Sequence, residues 1–412
     1  MYKKILSAIL SAVFVVCLPG CSAQNVADSV PAAVEAESAE EKNENKETVS
    51  VQINDSTGML TQSQKELFCE YGLTYAETLR DMQATDISQF YADSESEEYY
   101  INKTALDTLV TIRGLSQHDL SLEYVSLDYR VESVTDTGSV VKVVIWEDNI
   151  QKFRHVDGES LTCNTYHEFE IVPSGDRWLI KSHIHEEDFY LLTRTAWDDI
   201  SEKDYAQRSE KTVEILAADA KENYILKNEN LNEYMTVEVN KQYDREKAVE
   251  YAQEWYNKRN PQYLEYDLYG GNCQNFASQC IHAGGMDMDI KGTYTTQWKF
   301  YGKDLNYNQS AAGRSYSWIG VDEFYTYSEY NRNSGLMTQY DVDLKYAQKG
   351  DVIQVGAYNK WHHSLVVTDV VTDENGVQTE IMLASNTADR WNYPLSAYIY
   401  TYPRLIHIDG QI

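Results

Sequence analysis

Two cysteines seven residues apart lie in YGGNCQNFASQCIHAGG, residues 269–285. A thiol does chemistry as its thiolate, so the surroundings the fold gives each one decide between them. Helical spacing begins at Cys273, and Gly284 with Gly285 ends it. Cys273 therefore stands at a helix N-terminus, where free backbone N–H groups and the macrodipole favour an anion. Cys280 sits two turns deeper on one face with Phe276 and Ala277, which is how an inert, buried thiol is placed. Gly270 and Gly271 make a tight turn before Cys273 and leave room for a substrate to approach.

A catalytic thiol needs a base within hydrogen-bond reach. KGDVIQVGAYNKWHHSLVVTDVV, residues 349–371, is two β-rich segments around a turn, and adjacent histidines open the second. On a regular strand His362 and His363 point to opposite faces, His362 with Ser364 and Val366, His363 with Leu365 and Val367. Alternation alone does not choose between them. The base also needs a partner that fixes its tautomer, and IMLASNTADRWNYPLS, residues 381–396, offers Asn386 and Asp389 just after a third β-rich run.

Metal chemistry is not expected. The spacing of Cys273, Cys280 and His282 fits no common zinc site. His183 and His185, two apart on a strand, can face one side and, with His167 or Glu186, would make a metal-ligand set, but alternating histidines on a polar sheet face near acids are the simpler reading. No cofactor is expected.

Five ordered blocks, GGNCQNFASQCIHAGG, YSWIGVDEFYTY from Tyr316, KGDVIQVG, HSLVVTDV and ASNTADRWNYPLS, resemble the "putative amidase domain" family of papain-like cysteine hydrolases, related to the CHAP and NlpC/P60 cell-wall enzymes. The resemblance runs from about Tyr243 to Arg404. It implies a papain-like α+β fold with Cys273 as nucleophile, His363 as general base and Asn386 as third member, with Asp389 its rival. It implies acyl transfer through a thioester, and a peptidoglycan or cell-wall peptide as substrate. The side-chain oxyanion donor, often Gln, that precedes the nucleophile in such enzymes has no counterpart in LEYDLYGGN, residues 264–272. The Cys273 N–H is one donor, with Asn272 or Tyr266 the candidate second. Trp361, directly before the His pair, is the first candidate for a cleft-lining aromatic. The alternative is a surface binding or assembly lipoprotein that keeps the fold but is catalytically silent.

These residues need elements to hold them. In YDREKAVEYAQEWYNKRNP, Asp244 is an N-cap and Ala248, Tyr251, Ala252 and Trp255 form one apolar stripe that stops at Asn260 and Pro261. Upstream, Leu67, Phe68, Tyr71, Tyr75, Leu79 and Met82 recur at helical spacing from Thr61. A second helix is expected after Asn102 as N-cap, with Leu106, Leu109, Val110 and Ile112 inward. LSLEYVSLDYRVESV, SVVKVVIWEDN, YHEFEIV and RWLIKSHIH then read as strands, separated by the turn segments TDTG and PSGD. This order gives an α+β region at 55–195 that resembles, on element order alone, the cone-shaped nuclear-transport-factor-2-like fold. Residues 196–240 read as a helical connector, and 241–412 as the hydrolase region.

The chain of 412 residues is long enough for two such regions, and 42% hydrophobic residues fit a folded core. Its net charge of −30 excludes nucleic acid as a partner. Two lysines followed by an apolar run from Ile5 to Leu18 read as a secretory signal peptide over residues 1–20, too short to span a bilayer. LPGC resembles a bacterial lipobox, which implies a lipid anchor on Cys21 and a place at the outer face of the cell membrane. Pro19 stands where a small residue is usual, so cleavage after Ala23 and secretion is the alternative. Residues 25–50 hold seven acids, two lysines and no aromatic, so 21–54 is expected to be a flexible acidic tether. One disulfide, Cys69 to Cys163, is conceivable outside the cell.

Overall fold

The N-terminal helix of the folded part starts at a reciprocal cap: the Thr61 hydroxyl accepts the Gln64 N–H and the Gln64 side chain accepts the Thr61 N–H. The computed structural model describes residues 48–226, 231–291, 296–302, 313–330 and 334–412. The signal peptide, Cys21 and most of the tether lie outside the described residues. Strand β1 (Val49–Asn54) precedes helices α1 (Gln62–Asp81) and α2 (Glu97–Arg113). The expected start of α2 at Asn102 is corrected. Ser96 caps it, with Glu97 and Glu98 in the first turn to complement the macrodipole. Asn102 is buried inside α2 and donates to the carbonyls of Glu98 and His183.

Four antiparallel strands follow, β2 (Leu122–Asp136), β3 (Val141–Phe153), β4 (Ser160–Ser174) and β5 (Arg177–His185), with β1 parallel to β2. The faces they turn to α1 and α2 are buried. His167, His183 and His185 lie on that inner face, stacked on one another, and Tyr71 Oη and His167 Nδ1 stand 3.0 Å from the two nitrogens of His183. The sheet face expected to be polar and near acids is thus a buried one, with Glu147 3.4 Å from His167. Burial pushes all three imidazoles down, His167 to about 3. Among the described residues no group of three or more such side chains is arranged to hold a metal ion.

Helices α3 (Asp188–Asp199) and α4 (Tyr205–Leu226) lead to α5 (Arg245–Trp255), capped by Asp244, and α6 (Cys273–Ala283), ended by Gly284. The short α7 (Tyr316–Ile319) and α8 (Val321–Tyr330) precede the second set of strands. That set holds β9 (Leu336–Val342), β10 (Val352–Ala357), β11 (Lys360–Thr372), β12 (Gln378–Ser385), β13 (Asp389–Pro394) and β14 (Tyr402–Gln411), numbered here after the short pairs β6 (Lys241–Gln242), β7 (Phe300–Tyr301) and β8 (Gly313–Arg314).

The two sets of strands, together with β6 on the edge of β14, form one sheet of twelve among the described residues. One edge of β4 pairs with β3 along its length, and the other divides: residues 167–174 pair with β5 and Leu161–Cys163 pair with Trp391–Asp389 of β13. On one side of the second set, Ile353, Val355, Leu365, Val367 and Leu405 share a core with Leu109, Phe153 and Phe189. On the other, Val352, Val366, Ala384 and Ile406 pack under Phe276, Ala277, Cys280 and Trp318. Residues 46–412 are accordingly one compact unit, and the regions at 55–195 and 241–412 share a hydrophobic core. The result is a mixed α+β fold on a mostly antiparallel sheet. Cys69 and Cys163 are free thiols, so the conceivable bridge between them is absent. No described helix is long and apolar enough to cross a membrane.

Candidate active site

Cys273 is the first residue of α6, and Gly270 and Gly271 before it have φ of 111° and 119°, which side chains with a Cβ rarely adopt. A Cβ at Gly270 would meet nothing within 4 Å, so the turn faces open space. The thiol itself is not exposed: Cys273 is 7% accessible. Burial pushes it up to about 11, against the pull of the N–H groups of Ser364, Gln274 and Cys273 itself, with Asp267 adding to the rise. The expected thiolate-favouring N-terminus is thus corrected by desolvation, which outweighs the helix end. Cys280 is fully buried, as its periodicity implied, and its thiol is raised further.

The Ser364 N–H that faces the Cys273 thiol belongs to the peptide joining His363 to Ser364. The backbones of the two candidates therefore meet at one peptide unit, but their side chains do not: His363 lies on the Val355, Leu365 and Val367 face of β11, and Cys273 on the opposite Ser364 and Val366 face. Side chains fix the same contact: Ser364 Oγ donates to Gln274 Oε1 at 2.7 Å, Gln354 Nε2 donates to Ser364 Oγ at 3.2 Å, and Arg404 Nε donates to Gln354 Oε1 at 2.8 Å. These residues were not singled out from the sequence. Their signal was there, as polar side chains on otherwise apolar strands and a Gln directly after the cysteine.

The histidines do not alternate. Val355 pairs with His363 and Gly356 with Trp361, so His362 is the extra residue of a bulge. Gly356 permits it, since a Cβ there would come within 2.6 Å of the Lys360 carbonyl. Tyr400, on which His362 stacks, and Val355, which pairs with His363, both belong to the core shared with Phe153 and Phe189, so the two imidazoles lie on one side of the sheet rather than two. His362 stacks on Tyr400 at 4.7 Å, and its Nε2 meets the Ala357 carbonyl at 3.2 Å. His363 has a buried Nε2 with no hydrogen-bond partner, facing the charges of Asp188 and Arg390. Burial pushes it down to about 4, so it is a neutral acceptor at pH 7.

Neither candidate third residue is hydrogen-bonded to His363. Asn386 Oδ1 accepts from Asn272 Nδ2 at 2.9 Å, and its Nδ2 donates to the carbonyls of Trp255 and Tyr256. Asp389 binds Arg259 at 2.9 Å, Asn164 at 3.0 Å and the Thr387 N–H at 2.9 Å. Burial pushes its carboxyl up against the pull of Arg259. Asn272, expected to touch substrate, is 2% exposed, and its Oδ1 takes the Tyr266 N–H and Asn275 Nδ2. These residues build the turn that carries Cys273. Trp361 is packed, with the Arg404 guanidinium 3.7 Å from its ring centre and Tyr402 stacked at 4.6 Å. The exposed aromatic beside the Gly-Gly turn is Tyr269, at 79%.

Residues 242–408 match a family described as a "putative amidase domain". That description speaks for amide hydrolysis, at a general level. A search of curated proteins finds an uncharacterized protein of Bacillus subtilis (strain 168), YhbB, 35% identical over 112 residues. The shared stretch is 27% of this chain and 32% of that protein, so the chain spans about a third of the relative's length. No solved structure matches.

Proposed function

We propose that this chain is an exported cysteine-dependent amide hydrolase of the cell surface, cutting amide or peptide bonds of peptidoglycan and held to the membrane by a lipid on Cys21. The observation that carries the cysteine mechanism is the Cys273 thiol at the N-terminus of α6, beside the peptide of His363. The amidase description of residues 242–408 supports the reaction class. The signal-like N-terminus, the acidic tether and the resemblance to cell-wall hydrolases support the place and the substrate.

At pH 7 Cys273 is a neutral thiol. As Sγ attacks the amide carbonyl, its proton passes to a base, and backbone N–H groups at the start of α6 face the developing oxyanion. His363 takes the role of base only if its imidazole turns from the Asp188 side of β11 to the Cys273 side. The protonated base gives that proton to the leaving amine, and the C–N bond breaks to leave a thioester. Water then loses a proton to the same base, attacks the thioester and releases the acid, which restores the thiol.

Mass analysis of cell-wall digests tests both bond and nucleophile. Wild type is expected to release new amine or peptide termini, and Cys273→Ala none. Identical products from the two proteins would refute the cysteine mechanism. A second reading, a silent binding protein, is favoured by the burial of Cys273. It requires wild-type digests without new termini.

A further inference from the structure

The residues that hold the Cys273 turn do not end within the amidase-type region. Asn272, the residue before the thiol, donates its N–H to Thr387 Oγ1 at 2.7 Å, and Thr387 Oγ1 donates to Asp267 Oδ1 at 2.6 Å. Arg259 spans Asp267 at 2.7 Å and Asp389 at 2.9 Å, so one guanidinium ties both ends of the turn together. Asp389 is completed from outside: Asn164 of β4 donates Nδ2 to its Oδ2 at 3.0 Å and to the Asn257 carbonyl at 2.9 Å. Asn164 is itself fixed. Its N–H bonds Asp148 at 2.8 Å, its Oδ1 takes Arg130 Nη2 at 3.0 Å, and its φ of 56° is one that Asn tolerates.

We propose that Asn164 is a positioning residue for Cys273, so that residues 48–199 are part of the catalytic framework rather than a spacer. This rests on the reading of Cys273 as nucleophile. Every link from Asn164 to Asn272 is a hydrogen bond or ion pair of 3.0 Å or less, anchored at buried Asp389 and Asn272 and half-buried between them. Loss of the first link frees Asp389 and, through Arg259, the turn that carries the thiol.

Two variants keep the backbone conformation, because Gly and Asp also accept a positive φ. Asn164→Gly removes the link, and Asn164→Asp sets a carboxylate against Asp389. The assay is alkylation by iodoacetamide at pH 8, read peptide by peptide, with hydrolysis measured in parallel. Cys273 is expected to react about tenfold faster in Asn164→Gly and faster still in Asn164→Asp, while Cys280 stays unmodified and kcat falls more than KM changes. If Cys273 reacts at the wild-type rate, or Cys273 and Cys280 accelerate together, Asn164 has no positioning role. If Asn164→Gly does not fold, Asn164→Asp and the amide hydrogen exchange of Asn272 in it decide. Alkylation needs no turnover. Full hydrolysis by Cys273→Ala would overturn the nucleophile reading and leave the alkylation result standing.

Discussion

At the scale of single residues, a thiol at a helix N-terminus is pulled two ways. The helix end stabilises the thiolate by up to about 2 kcal/mol, while removal from water raises a buried acid by as much as ~3–5 pKa units. For Cys273 burial prevails and the thiol rises to about 11. The thiolate fraction then grows tenfold per pH unit across the neutral range, and reactivity must follow it. Alkylation of Cys273 is therefore expected to accelerate about tenfold per unit between pH 7 and 9. A rate that levels off near pH 7 would show a thiolate already formed. The contrast between Cys273 and Cys280 was legible because helical spacing fixes which residues share a face. The burial of Cys273 was not, because Ser364, whose N–H faces the thiol, and Thr387, which binds the preceding Asn272, lie far along the chain.

At the scale of elements, caps and alternation carried most of the information. Thr61 and Asp244 begin their helices where the sequence places them, since each has a side chain that satisfies a free N–H locally. Asn102 failed as a cap because Ser96 competes six residues earlier, and the pairing of β5 against α2 gives Asn102 a carbonyl to bind. The His pair failed because a bulge changes the parity of β11, and only the partner strand shows which residue is extra. The seam between β4 and β13 was equally hidden, yet it holds a charge pair. Arg390 Nη1 lies 2.5 Å from Asp188 Oδ2, both nearly buried, with the guanidinium 4.5 Å from the Tyr393 ring centre. Arg390→Met leaves Asp188 as an uncompensated buried charge and is expected to cost about 3–5 kcal/mol. Arg390→Met with Asp188→Leu should recover most of that. Urea unfolding midpoints at unchanged slope measure both, and a single variant within about 1 kcal/mol of wild type would show the pair to be solvated.

At the scale of the whole molecule, the sequence suggests two folded regions and a connector, while the chain forms one sheet across them. Composition shifts mark where a chain changes character, but a shared core depends on which faces meet, and local pattern does not encode that. The consequence is energetic. Were residues 241–412 alone in water, Ile353, Val355, Leu365, Val367 and Leu405 would lose much of the core they share with Leu109, Phe153 and Phe189. At about 1.5–3 kcal/mol for each side chain exposed, the loss is on the order of 10 kcal/mol, as large as the whole stability of an ordinary domain, about 5–15 kcal/mol. β13 would also become an open edge along Asp389–Trp391. Residues 241–412 expressed alone are therefore expected to show no cooperative thermal transition. Residues 48–412 should unfold in one step, with calorimetric and van't Hoff enthalpies equal and the far-UV and aromatic circular-dichroism signals coincident. A sharp, independent transition from the isolated 241–412 fragment would mean that its own core suffices. The part played by residues 48–199 at the Cys273 turn would then be a docking contact rather than a condition of folding.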